Sequence, residues 1–164
     1  MTLFRRLFPD RFDDRLPGHA AALWLLGLYL ALKTVMIVNS ILNGASVAAG
    51  ADGIPLERYG AEGAAAVLQL FALNAFGQLL PVLLGAIALL RYRSMVPLVY
   101  LLLLLDQAGR RLVVWNLDAA RSGSAPGFYI NLALVALLFL GLVLSLAGPR
   151  QERPPSSPST GREI

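Results

Sequence analysis

At 164 residues, 57% of them hydrophobic and 15% charged, with a mean hydropathy of +0.64, the chain is too apolar for a soluble domain of its size and reads as an all-α, polytopic membrane protein. The absence of cysteine excludes disulfides, thiol redox relays and thiolate metal sites, and one histidine, His19, excludes bis-histidine haem and multi-histidine zinc. No HExxH, GxSxG or GxxxxGK(S/T) pattern occurs, so no catalytic residue, metal or cofactor is expected, and the charge of +4 follows arginine placement rather than a nucleic-acid partner.

Residues 1–18 combine Leu3, Phe4, Leu7, Phe8, Phe12 and Leu16 with Arg5, Arg6, Arg11 and Arg15. Such a stretch suits a basic, amphipathic segment at the cytoplasmic membrane surface, broken at Pro9; a disordered basic tail is the alternative. A cleaved signal peptide fits less well, because the apolar run that follows is too long and contains Lys33, although Ala49-Gly50-Ala51 resembles a cleavage site.

Residues 19–148 are expected to form the transmembrane domain, four transmembrane helices in an antiparallel bundle with spans at about 20–42, 65–90, 95–117 and 128–147. The first span carries Lys33, with Asn39 and Ser40 beyond it; Lys33 and Ser40, seven residues apart, share a helical face. Asn43 to Glu62 is rich in Gly, Ala, Asp and Pro, has a turn signal at Asp52-Gly53, and reads as a loop, either a solvated connector or a lid.

Gly63 to Leu90 is an uncharged run of 28 residues. As one helix it would be about 42 Å long against a bilayer core of about 30 Å, so it must tilt, kink at Pro81 or begin outside the core. It holds Gln69, Asn74 and Gln78, the last two on one face. The short link Arg91 to Ser94 makes the second and third spans a tight hairpin.

The third span is the most constrained. Its twelve Leu and Val contribute about −0.3 to −0.6 kcal/mol each to insertion, while an Asp or Arg near the centre costs about +2.5 to +3.5, so the balance is close to zero. Asp106 and Arg110, and likewise Gln107 and Arg111, are four residues apart, which makes one polar face that neighbouring helices must shelter. The fourth span has no charge, and only Asn131 and Ser145 interrupt it. Residues 149–164 are rich in Pro, Ser and Arg and read as a disordered cytoplasmic tail.

Nine arginines fall before the first span, between the second and third, and after the fourth, against Arg58 and Arg121 on the other side. The positive-inside rule then puts both termini in the cytoplasm, as for a multi-pass protein of the bacterial inner membrane. In this orientation Lys33, Asn39, Gln69, Asn74, Asp106, Gln107, Arg110, Arg111 and Asn131 fall in the outer half of the bilayer, which implies a polar cleft open to the periplasm.

Lys33, Arg110 and Arg111 outnumber Asp106, so the cleft favours an anionic guest such as a lipid headgroup, a carboxylate, a phosphate or a quinone carbonyl. The acids Asp52, Glu57 and Glu62 offer an internal substitute, and Arg110 and Arg111 could instead snorkel to the interface. Three functions fit: an accessory or scaffold protein that binds lipid or partner helices; a small dimeric transporter or ion-coupled carrier, with Asp106 and Lys33 as its switching pair; and, least well, a quinone- or lipid-modifying enzyme. The expected partners are membrane lipids, a second copy or another membrane protein. The layout of one helix, a long outer segment and three further helices is similar to that of DoxX-like and other bacterial four-helix membrane proteins; this resemblance covers topology alone and implies no activity.

Overall fold

A computed structural model describes residues 7–8, 13–14, 16–116 and 126–147. The basic residues Arg5, Arg6, Arg11 and Arg15, the segment around Asp118 and Arg121, and the tail 149–164 lie outside the described residues. All regular structure among the described residues is helical. The helices are α1 (Ala21–Leu42), α2 (Gly44–Gly50), α3 (Ala61–Gly77), α4 (Leu79–Leu90), α5 (Val96–Asn116) and α6 (Pro126–Leu146), with 3-10 turns at Leu56–Arg58 and Arg93–Met95.

Three apolar helical stretches, Ala21–Leu42, Ala61–Leu90 and Pro126–Leu146, are long enough to cross a membrane. Their outward faces carry apolar side chains into the surroundings, Trp24 at 82% exposure among them, which suits lipid as the solvent and not water. α5 is equally long but carries Asp106, Arg110 and Arg111 together.

Helix α1 starts where the His19 ring Nδ1 accepts the Ala21 N–H at 3.1 Å, satisfying one of the free donors of the first turn. It stops at Asn43, whose backbone (φ −120°, ψ 35°) leaves the helix while its N–H still reaches the Asn39 carbonyl at 2.8 Å. The next twenty residues are not the open loop that their composition predicts. Ala45 to Ala49 form most of α2, and Glu62 already stands in the first turn of α3. Counting Ala with Gly as loop composition hid this, since Ala is the strongest helix former and Gly among the weakest. The chain turns after α2 at Gly53 (φ 66°), a conformation that costs glycine nothing, and Ile54 N–H bonds back to the Ala48 carbonyl at 2.9 Å.

The long second apolar stretch breaks at Gln78, between α3 and α4. Pro81 explains the position: it has no N–H to give the Gly77 carbonyl four residues back, and its ring crowds that carbonyl. The two halves consequently find different neighbours. α4 packs on α1 and α5, whereas α3 packs on α1 and α2.

α1 packs along α4 and α6, and α5 along α4 and α6. Close approach is bought with glycine: a Cβ on Gly85 would stand 2.7 Å from Leu30 Cδ2, and one on Gly141 would enter the Tyr100 ring. Tyr100 is fully buried and its hydroxyl donates to the Ala22 carbonyl at 2.6 Å, so one side chain ties α5 to both α1 and α6. At this end the incoming chain lies across the helix ends. His19 N–H reaches the Leu144 carbonyl at 3.0 Å, Asp13 and Ser94 exchange two hydrogen bonds at 3.0 and 3.2 Å, and Arg93 pairs with Asp14 at 3.2 Å. The opposite end is covered by α2 and the turn after it, where Gly127 N–H meets the Ala51 carbonyl at 3.0 Å.

A candidate polar cleft

Between α1, α2, α3, α5 and α6, in the half of the molecule nearer α2, lies a cavity of about 320 Å³. Its polar lining includes Lys33 and Ser40 from α1, Asp52 from the turn after α2, Asn74 from α3, Gln107, Arg110 and Arg111 from α5, and Asn131 from α6.

Lys33 is only 6% exposed. An ammonium can only donate, so the facing group must present an acceptor, and it does: Lys33 Nζ donates to Gln107 Oε1 at 3.2 Å. That contact fixes which way the Gln107 amide points. Its Nε2 then donates to Asn131 Oδ1 at 2.7 Å, and Asn131 Nδ2 donates to the Gly127 carbonyl at 2.7 Å. Three helices are thus joined by a line of amides whose direction is set by one cation. Each buried polar group in the line has a partner, as burial in a low-dielectric interior demands.

The second cation is held differently. Arg110 Nε lies 3.0 Å from both Asp106 carboxylate oxygens, and its Nη1 donates to Asn74 Oδ1 on α3. Arg111 donates to the Phe128 carbonyl at 2.9 Å, and its guanidinium carbon stands 4.4 Å from the centre of the Phe128 ring, a cation-π arrangement at the start of α6. Of the two partners expected for Asp106, Arg110 is the one that pairs with it; Lys33 binds a neutral amide instead.

Of the nine residues expected in the cleft, Lys33, Asn74, Gln107, Arg110, Arg111 and Asn131 line it, and Asp106 reaches it through Arg110. Asn39 and Gln69 do not line it. Asn39 is exposed and accepts a hydrogen bond from Asn43 Nδ2 at 2.8 Å, and Gln69 is exposed on α3. At about 100° per residue, Asn39 is turned roughly 240° from Lys33 and Gln69 roughly 140° from Asn74, so equal depth leaves them on other faces. Ser40 and Gln78 line the cavity in their place, at the seven- and four-residue spacings that put them on the faces of Lys33 and Asn74. Of the three acids weighed as an internal anion, Asp52 lines the cavity, whereas Glu57 and Glu62 are exposed and outside its lining.

The arrangement presents hydrogen-bond donors and positive charge to the cavity. Comparison with protein families, with curated proteins and with solved structures gives no match.

Proposed function

We propose that this chain is a four-span protein of the bacterial inner membrane, an antiparallel bundle of α1, the α3–α4 pair, α5 and α6 with both termini in the cytoplasm, and that it works as an accessory or scaffold protein whose cleft, in the periplasmic half of the bilayer, holds an anionic guest. The reading of α5 as a span rests on its two faces. Leu102, Leu105, Leu112 and Val113 are exposed along its length, while Gln107, Arg110 and Arg111 turn into the cavity. A helix that hides its charges among neighbours and shows leucine outward is suited to lipid.

The observation that carries the guest is Lys33. A charged side chain at the centre of a spanning helix costs about +2.5 to +3.5 kcal/mol; the Gln107 amide offsets only part of that, and Asp52 in the same lining is one carboxylate for the three cations Lys33, Arg110 and Arg111. An anion in the cavity beside it would supply the remainder. Native mass spectrometry of the protein extracted in mild detergent tests this: an anionic adduct is expected on the wild type and is lost in Lys33→Met. Bare protein in both samples would remove the anion-binding reading.

A further inference from the structure

We propose that the guest of this cleft is the phosphodiester headgroup of an anionic phospholipid, admitted sideways from the bilayer through the gap between α3 and α5. The proposal deepens the anion-binding reading above and rests on it.

The gap follows from the break at Gln78. α4 packs against α5, whereas α3 packs on α1 and α2, so the chain changes its neighbours at the break. Arg110 on α5 donates a hydrogen bond across to Asn74 on α3. Asn74 is exposed, so the pair forms a crossbar at the cavity mouth and not a buried wall.

The outer surfaces of α3 and α5 decide what can reach the gap. Leu70, Leu73 and Phe76 on α3 and Leu105 and Leu112 on α5 are all exposed apolar side chains. In a bilayer they face acyl chains, and a free inorganic anion has no favourable path across them. The end of the cavity nearer the aqueous phase is covered by α2 and its turn, drawn so close that a Cβ on Gly127 would stand 2.6 Å from the Ala51 carbonyl oxygen. An approach between α3 and α5 therefore favours an amphiphile.

The cavity itself has an amphipathic lining: Lys33, Arg110 and Arg111 are interleaved with Met36, Ile37, Phe71 and Ile130. Three cations against the carboxylates of Asp52 and Asp106 leave a surplus of one positive charge, which matches a singly charged phosphodiester. The volume agrees. About 320 Å³ is the share of roughly ten water molecules at about 30 Å³ each, enough for a phosphate and its glycerol but not for acyl chains, which must stay outside between α3 and α5. Arginine is suited to this role because its planar guanidinium can engage two phosphate oxygens at once.

The experiment uses the full chain in phosphatidylcholine nanodiscs, with and without phosphatidylglycerol, and in detergent with added inorganic phosphate or glycerol 1-phosphate. Thermal unfolding and native mass spectrometry are the readouts. Phosphatidylglycerol is expected to raise the melting temperature and to be retained about tenfold over phosphatidylcholine, a difference of about 1.4 kcal/mol. The soluble phosphates should neither stabilise nor displace it. Arg110→Gln should reduce the preference severalfold. Should that variant fail to fold, Asn74→Trp, at an exposed position, fills the mouth of the gap and should abolish the preference. Equal stabilisation by soluble phosphate, with displacement of the lipid, would overturn the lateral route while leaving an anion site. Indifference to all three anions would overturn the site as well, and full preference in Asn74→Trp would show that the lipid does not enter between α3 and α5.

Discussion

Lys33 and Gln107, 74 positions apart in the chain, meet at 3.2 Å in the buried interior, and the cation decides the direction of every amide bond that follows. The relationship is asymmetric. Gln107 is useful to Lys33 as an acceptor and to Asn131 as a donor, so replacing it breaks two contacts, whereas replacing Lys33 breaks one.

Gln107→Leu should therefore destabilise the protein by about 3 kcal/mol, because it leaves an ammonium buried without its acceptor. Combining it with Lys33→Met removes the stranded charge, and the double variant should recover most of the loss. Thermal unfolding in detergent measures both. A double variant as unstable as the sum of the singles would mean that the two side chains act independently.

Asp106 and Arg110 give a second, smaller coupling. Their side chains are 31% and 37% exposed, so solvent screening limits the pair to about 0.5–1 kcal/mol. A double-mutant cycle of Asp106→Asn with Arg110→Gln should show that coupling, and one of Asp106→Asn with Lys33→Met, which share no hydrogen bond, should show a weaker one. Coupling confined to the Lys33 cycle would contradict the observed pairing.

The sequence made the depth of the polar residues legible but not their azimuth. Depth follows from counting along each apolar run, and that count gathers Lys33, Asn74, Gln107, Arg110, Arg111 and Asn131 around one cavity. Azimuth requires knowing which face of each helix its neighbours cover: depth alone adds Asn39 and Gln69, whereas the spacings that put Ser40 on the face of Lys33 and Gln78 on that of Asn74 are readable in the sequence. The partner of Lys33 was illegible for a related reason. Charge alone nominates Asp106, one residue before Gln107, but one residue is about 100° of helix, enough to turn the carboxylate towards Arg110 and the amide towards α1. The helix α2 was missed through composition, since its two bounding glycines outweighed the alanines between them.

Membrane orientation is testable by reporters at residues chosen from the sequence. Fusions after Gly50, Gly123 and Gly161 should report periplasm, periplasm and cytoplasm. The prediction depends on α5 crossing the bilayer despite Asp106, Arg110 and Arg111, and the Gly123 fusion isolates that dependence. A cytoplasmic signal there would make α5 a helix that enters without crossing, and would reverse α6.

Pro81 offers a test of why the cleft has an open side. The residue denies the Gly77 carbonyl its helical donor, and the chain breaks one residue later at Gln78. Pro81→Ala supplies the missing N–H, so α4 should continue straight into α3. Because α4 packs on α5, that continuation would carry α3 along α5 and narrow the gap that Arg110 now bridges to Asn74. The sequence has no cysteine, so spin labels at Leu73→Cys and Leu112→Cys, exposed positions on α3 and α5, report the separation of the two helices without background. The distance between them should shorten by several ångströms, on the order of one helical turn or about 5 Å, and phosphatidylglycerol retention should fall with it. An unchanged distance would mean that the packing of α3 on α1 and α2, and not the proline, holds the two halves apart.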